Sequence, residues 1–133
     1  MIGDLREKLE PIGKLDVLAS VGDKALDYFS SIDASQLSES ELVSQARAVR
    51  QIAEVRIFQG DLEGARTALQ SVLPLNEELR VRNPDDPDIW LDAGATMEVM
   101  AHALYSAGEY QQSLTWNERR AALVGQALAR WPD

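Results

Sequence analysis

Apolar residues recur at intervals of three and four along most of this chain, which is the period of an amphipathic α-helix. Between residues 41 and 59 one such stripe consists of Leu42, Ala46, Val49, Ile52, Ala53 and Ile57. The stripes that follow consist of Leu62, Ala65, Ala68, Leu69, Val72 and Leu73, then Trp90, Ala93, Met97, Met100, Ala101 and Leu104, then Tyr110, Leu114, Ala121, Leu128 and Trp131. Near the N-terminus another consists of Leu15, Leu18, Gly22, Ala25, Phe29 and Ile32. No segment of useful length alternates as a strand would, so the sequence predicts an all-α protein of about five to six helices.

Residues at the starts of the stripes have the chemistry of helix N-termini. Ser38 or Ser40 can cap the helix that follows, and Glu41 completes a capping-box pattern with Ser38. Asp86 followed by Pro87 predicts an N-cap and a proline in the first turn of a later helix.

Glycine and proline indicate how the helices end or continue. Gly60 and Gly108 are predicted to close their helices in the left-handed conformation that glycine tolerates. Gly22 belongs to an unbroken stripe, so it is expected inside a helix. Pro74 falls within the stretch 61–82, whose apolar stripe continues beyond it, so a kink is expected there and not a stop.

A short pattern recurs along the chain and predicts an internal repeat. The strings Gly13-Lys14-Leu15, Gly60-Asp61-Leu62 and Gly108-Glu109-Tyr110 each contain a glycine, a charged residue and a large apolar residue, at spacings of 47 and 48. A second set of marks at the same offsets consists of Ser38, Asp85 and Asp133. Each repeat is therefore expected to be an antiparallel helix pair joined at the glycine, and successive pairs are expected to stack as an α-solenoid.

This period divides the chain into repeats within a single domain, 1–133. A partial and degenerate first repeat spans residues 1–37, the second spans 38–84 and the third spans 85–133. The first repeat begins in mid-helix, so the chain is expected to be a segment of a longer protein.

The second and third repeats resemble the tetratricopeptide repeat (TPR). The string Ala53…Gln59-Gly60-Asp61-Leu62…Ala65…Leu69 is similar to that motif, with a small residue in the first helix, a glycine turn and an early Ala in the second helix. The third repeat matches with Ala101…Gly108-Glu109-Tyr110…Ser113, where Ser replaces the Ala. The period is longer than is usual in the family, and the first helices have Val49 and Arg56 in place of the consensus Trp and Tyr. The resemblance implies a non-catalytic protein-interaction module.

A narrower resemblance covers the segment from Gly3 to Asp16 and the following Val21-Gly22-Asp23-Lys24-Ala25-Leu26. It is similar to the start of the repeat region in large bacterial signalling proteins, in which such repeats follow an effector, sensor or NTPase domain. This likeness implies a regulatory or recognition module.

Composition narrows the classes of function. The 133 residues include 13 Lys+Arg and 22 Asp+Glu, and the net charge of −9 argues against a nucleic-acid duplex or an anionic membrane surface as partner. The absence of cysteine excludes disulfides, thiolate metal sites and cysteine nucleophiles. No apolar run approaches the length of a membrane span, and the N-terminus lacks the pattern of a signal peptide, so a soluble, cytoplasmic chain is expected.

The titratable residues favour structural roles over catalysis. His102 is the only histidine, so a catalytic triad or a histidine metal pair is excluded, and its neighbour Glu98 is expected to form an exposed pair with it. Across the repeat, Glu54 is expected beside His102 and Arg50 beside Glu98, so ion pairs between the repeats are expected. The carboxylates Asp85, Asp86, Asp88 and Asp92 lack the spacing of a calcium loop, and helix capping is expected to explain them. The sequence therefore predicts neither an enzyme nor a cofactor site.

The remaining candidate is a binding surface. The TPR resemblance implies a groove formed by the first helix of each pair, and positions 47, 50, 51, 54 and 58 share one helical face. The expected groove residues are Arg47, Arg50, Gln51, Glu54 and Phe58 in the second repeat and Glu98, His102, Tyr105 and Ser106 in the third. Phe58 and Tyr105 are the expected apolar anchors, and Arg47 and Arg50 the expected readers of a partner's carboxylates. A peptide segment or partner helix suits this mixed surface better than a small metabolite.

The alternative function is self-association. An array cut between repeats exposes apolar faces at its ends, here around Leu5, Leu9 and Ile12 and at Leu128 and Trp131. End-to-end packing through these faces would make the chain an oligomerisation module of a larger signalling protein.

Overall fold

A computed structural model describes residues 20–132 as helices joined by short turns. Residues 20–31 are helical (α1), and a 3₁₀ turn at Ala34–Gln36 precedes the longer helices. These are α2 (Glu39–Phe58), α3 (Leu62–Arg82), α4 (Pro87–Ser106) and α5 (Tyr110–Arg130). No strand occurs between residues 20 and 132, and the all-α prediction is confirmed.

Several expectations concern residues outside this described range. They include the resemblance at Gly3–Asp16, the turn at Gly13, the apolar residues Leu5, Leu9 and Ile12, and the repeat mark at Asp133.

The predicted N-terminal caps are confirmed at α2 and α4. The Ser38 hydroxyl accepts a hydrogen bond from the Glu41 N–H at 3.1 Å, and the Glu41 carboxylate accepts one from the Ser38 N–H at 3.5 Å. Of the two candidate serines, Ser38 is therefore the cap, in a complete capping box. At α4 the Asp86 carboxylate accepts from the Asp88 N–H at 3.0 Å, and Pro87 occupies the first helical position.

The two predicted glycine turns are also confirmed. Gly60 and Gly108 have φ of +80° and +81°, the left-handed region that an L side chain enters only at a cost. The Gly60 N–H donates to the Ile57 carbonyl at 3.0 Å and the Asp61 N–H to the Arg56 carbonyl at 2.9 Å, which is the Schellman pattern. The same two bonds, at 3.0 and 2.9 Å, close α4 at Gly108.

The helix boundaries recur with a constant offset of 48, the spacing that separates Gly60 from Gly108. The N-caps and C-caps of α2 and α3 are Ser38, Gln59, Asp61 and Asn83, and those of α4 and α5 are Asp86, Ala107, Glu109 and Trp131. The predicted correspondence of Ser38 with Asp85 is wrong by one residue, because Asp86 and not Asp85 caps α4.

Two helices continue through a residue that commonly interrupts a helix. Helix α3 runs from Leu62 to Arg82 and includes Pro74, so the proline does not stop the helix. The Pro74 side chain is exposed. Gly22 lies inside α1 as predicted, and it is buried against Ile52 of α2. A Cβ built on Gly22 would lie 3.0 Å from Ile52 Cγ2, so the absence of a side chain allows the two helices to approach closely.

Each helix from α2 onward packs against the next, and α2 also touches α4. The main core is built from small and aliphatic side chains of α2, α3 and α4. Its buried members are Ala46, Val49, Ala53, Ala65, Ala68, Leu69, Val72, Val99, Met100, Ala103 and Leu104. Half-buried side chains from α1 and α5, among them Leu26, Phe29 and Trp116, cover its edges. The stripes predicted for α2, α3 and α4 are thus on the core side.

The stripe predicted for α5 does not form the core-facing side of this helix. Tyr110, Leu114 and Leu128 are exposed, and the buried residues of this helix are Ser113 and Leu123. The face that covers α4 includes Ser113, whose hydroxyl donates to the Ala101 carbonyl at 2.8 Å. The apolar stripe therefore exists on α5, but most of it faces solvent.

Candidate functional site

A groove of about 460 Å³ lies between α2 and α4, on the surface that the sequence indicated. We refer to it as the α2–α4 groove, and it is lined by Arg50, Glu54, Ile57, Phe58, Ala95, Glu98, Val99 and His102. Five of the expected groove residues are thus brought together. The expected residues that do not line it are Arg47, Gln51, Tyr105 and Ser106.

Arg47 and Arg50 are engaged with a carboxylate of the same chain. Arg47 Nε lies 2.9 Å from Asp92 Oδ2, and Arg50 Nη1 lies 3.4 Å from Asp92 Oδ1. The Asp92 side chain is only 14% exposed and that of Arg50 only 17%. The two arginines therefore tie α2 to α4, and a partner's carboxylate would have to compete with Asp92 for them.

The prediction of an ion pair between Arg50 and Glu98 is wrong. Glu98 instead lies 3.5 Å from Arg120 of α5, and Arg50 pairs with Asp92. Positions that are equivalent in successive repeats need not lie at the same level, because packed helices cross at an angle. Glu54 and His102 line the same groove, but they form no ion pair with each other, so that part of the prediction is also wrong.

The exposed groups of the α2–α4 groove include an aromatic ring and carboxylates. The Phe58 side chain is 79% exposed. Glu54 is exposed and has no ion pair with any residue of the described range 20–132. Glu98 has a single long ion pair with Arg120. This surface therefore presents carboxylates and an aromatic anchor more readily than it presents arginines.

Tyr105 lies beyond the groove on α4. Its ring is 63% exposed and meets the Tyr110 ring edge-on, with the centroids 5.0 Å apart. Gln51 is exposed on α2. Both residues are accessible next to the groove, where they can extend a contact surface.

The acidic cluster has more roles than the predicted capping. Asp86 caps α4 as expected, but Asp92 holds Arg47 and Arg50, and Asp85 lies 2.6 Å from Arg130 Nη2. Within residues 20–132 no group of His, Asp and Glu has the arrangement of a metal site.

A second groove, which the sequence did not indicate, has a volume of about 560 Å³. We call it the α4–α5 groove, because it lies between these helices. It is lined by Pro87, Trp90, Leu91, Gly94, Ala95, Glu98, Arg120, Leu123, Val124, Ala127, Leu128 and Trp131. The lining is mostly apolar, and Leu91 and Leu128 are 68% and 58% exposed. The sequence pattern that could have indicated this groove is the apolar stripe of α5, but helical periodicity alone suggests that this stripe belongs to the core.

Trp90 forms the floor of one end of the α4–α5 groove. It is buried, meets Trp131 edge-on at 5.6 Å and lies beneath the guanidinium of Arg80, 4.9 Å from the ring centroid. Hydrogen bonds to Glu77 hold that guanidinium and raise the pKa of Arg80. The buried Nε1 of Trp90 has no hydrogen-bond partner among the described residues.

The chain matches no family model, no curated protein and no solved structure. Among residues 20–132, none of the helices combines the length and apolarity needed to cross a bilayer. The two grooves are therefore the features from which a function can be inferred.

Proposed function

We propose that this chain is a non-catalytic protein-interaction module of a larger cytoplasmic signalling protein. Its TPR-like helix pairs stack as an α-solenoid, and the α2–α4 groove binds a peptide segment of a partner. The constant offset between equivalent helix boundaries supports the repeat. The contact of α2 with α4 supports stacking of the first helices.

A satellite cluster of the core supports the antiparallel arrangement of the helices. Leu42 near the start of α2 packs with Leu79 near the end of α3 and with Ile89 near the start of α4. Such a cluster forms when consecutive helices run in opposite directions. It also supports the assignment of α4 as the first helix of the next pair.

The observation that carries the function is the exposed Phe58 beside Glu54 and Glu98 in one groove. An aromatic ring left 79% exposed has no role in the core of the described chain, and it is a typical anchor for a partner's apolar side chain. Glu54 lacks an ion pair among the described residues, so a lysine or arginine of the partner can pair with it. The groove therefore suits a basic peptide that contains an apolar residue.

A random-peptide phage library, selected on the purified chain, tests this function. We expect the enriched peptides to combine a basic residue with a large apolar one. Their affinity should fall about tenfold or more with Glu54→Lys or with Phe58→Ser, since a charge contact and an apolar anchor are each lost. Fluorescence anisotropy of a labelled peptide gives the dissociation constants.

The matched control is Glu118→Lys, which changes the net charge by the same amount on an exposed residue of α5 that lines neither groove. Binding should be unaffected by this substitution. Equal losses with Glu54→Lys and Glu118→Lys would show an unspecific charge effect and contradict the proposal. A selection that enriches no peptide would contradict it as well.

Self-association is the alternative function, and the exposed apolar side chains of α5 favour it. Tyr110, Leu114 and Leu128 lie outside the core, and a second copy of the chain would cover them. Sedimentation velocity at rising concentration separates the two functions. A dimer that disappears with Leu128→Glu supports self-association, whereas a monomer at all concentrations leaves peptide binding as the function.

A further inference from the structure

Helix α4 has a defined seat on the helix pair that precedes it. Ile89 of α4 packs among Leu42 of α2 and Leu75 and Leu79 of α3. One turn further along α4, Asp92 is held by Arg47 and Arg50 of α2. The seat thus consists of an aliphatic pocket and a basic clamp.

The α4–α5 groove consists of the positions equivalent to this seat. At the repeat offset of 48, Leu42, Leu75 and Leu79 correspond to Trp90, Leu123 and Ala127. Arg47 and Arg50 correspond to Ala95 and Glu98. All of these equivalents line the α4–α5 groove. The first seat is filled by a helix of the chain, and within residues 20–132 the second seat has no helix upon it.

The second seat exposes apolar side chains, as protein surfaces that bind a partner commonly do. Leu91, Val124 and Leu128 are exposed side by side around it, although each is large and apolar. Trp90 is 5% exposed, and its indole N–H has no partner among the described residues. Trp90 itself is covered, so the exposed apolar surface of this seat consists of the three aliphatic side chains.

We propose that the α4–α5 groove binds an amphipathic helix that packs as α4 packs on α2 and α3, but with opposite charge. Where α4 carries Asp92, this partner helix carries a lysine or an arginine. We expect a basic residue because Ala95 and Glu98 stand in the second seat where the filled seat has the two arginines. An acidic residue at that point would meet Glu98 in place of the two arginines, and Arg120, which also lines the groove, is already paired with Glu98.

Glu98 is accessible enough to pair with a basic residue of the partner helix. Its side chain is 61% exposed, and its ion pair with Arg120 is long, at 3.5 Å. A cation on the partner helix can therefore pair with Glu98 without breaking a buried contact. The apolar pocket around Trp90 and Leu123 supplies affinity, and Glu98 selects between helices of opposite charge.

The α4–α5 groove can be tested separately from the α2–α4 groove. The two sites share a wall at Ala95 and Glu98, but Glu54 and Phe58 line only the first, and Leu91 and Leu128 only the second. Variants at residues that line only one groove therefore separate the two sites.

The test uses a helical peptide that copies the packing face of α4 and is added to the intact chain. The peptide keeps the residues of α4 that face α2 and α3, has Glu and Lys on its other faces, and contains no tryptophan. One version has the aspartate of position 92 and the other has lysine there. Fluorescence of Trp90 and Trp131, which line the groove, reports binding.

We expect the lysine version to bind at least about tenfold more tightly than the aspartate version. Glu98→Lys in the chain should reverse this preference. Leu91→Asp should abolish binding of both versions, and because Leu91 is 68% exposed this variant should fold. Glu54→Lys, in the other groove, should leave the preference unchanged.

Equal affinity of the two versions, or binding that Leu91→Asp does not alter, would overturn the proposal. A chain that dimerises by itself and loses the dimer with Leu91→Asp would also overturn it, because the occupant would then be a second copy.

Discussion

At the scale of single residues, small side chains occupy the places where the paired helices come closest. Ala53 of α2 and Ala65 of α3 have no exposed surface, and their equivalents at the repeat offset, Ala101 and Ser113, are almost as completely buried. The Ser113 hydroxyl, at the position equivalent to Ala65, is satisfied by its 2.8 Å hydrogen bond to the Ala101 carbonyl. The replacement therefore keeps the close approach without leaving a buried hydroxyl unpaired.

Asn76 is the polar residue of the core whose burial has no evident compensation. Its side chain is 3% exposed, and its Oδ1 has no hydrogen-bond partner in the described part of the chain. An unsatisfied buried acceptor costs about 1–3 kcal/mol. We expect Asn76→Leu, which keeps the number and branching of the side-chain heavy atoms, to raise the free energy of unfolding by about 1–2 kcal/mol, as measured by urea denaturation.

Asn117→Leu is the matched control, because this asparagine is exposed on α5. The free energy of unfolding should change by less than about 0.5 kcal/mol. If Asn76→Leu instead destabilises the chain, the Asn76 amide makes a contact that the described residues do not account for.

At the scale of elements, helical period and capping chemistry were sufficient to predict where α2, α3 and α4 lie and which side they bury. The boundaries followed because Ser38, Asp86, Gly60 and Gly108 each satisfy backbone groups that a helix end leaves unpaired. The burial of α5 could not be predicted in this way. A stripe indicates which face is apolar, but whether it is covered depends on the neighbouring helix, and α4 leaves Tyr110, Leu114 and Leu128 of the α5 stripe exposed.

Helix α1 is positioned on α2 through Gly22. Because a Cβ at this position would lie 3.0 Å from Ile52 Cγ2, a larger side chain forces the two helices apart. We expect Gly22→Leu to increase amide hydrogen exchange in residues 20–31 by about tenfold or more and to leave α4 and α5 unchanged.

A second substitution distinguishes a steric effect from a general loss of stability. Ile52→Ala removes the side chain that Leu at position 22 would meet, so the double variant should recover part of the protection of α1. Gly125→Leu, at an open position on α5, should not affect α1. No recovery in the double variant would mean that Gly22 acts through another contact.

At the scale of the whole molecule, an acidic chain presents two grooves of different character. The α2–α4 groove is lined by polar and apolar residues alike and includes one exposed ring, and most of the residues expected there were predictable because they share a helical face. Its ion pairs were not predictable, since the choice of Asp92 over Glu98 by Arg50 depends on how far α4 is displaced along α2. The α4–α5 groove is apolar and depends on the incomplete covering of α5, which no local pattern reports.

The central claim is that the α2–α4 groove binds a partner segment. An NMR titration of the ¹⁵N-labelled chain with a peptide selected on it tests this claim most directly. We predict that the largest amide shifts fall within residues 50–58 and 95–102, and that they vanish in Glu54→Lys. Shifts confined to other helices, or unchanged in Glu54→Lys, would contradict it.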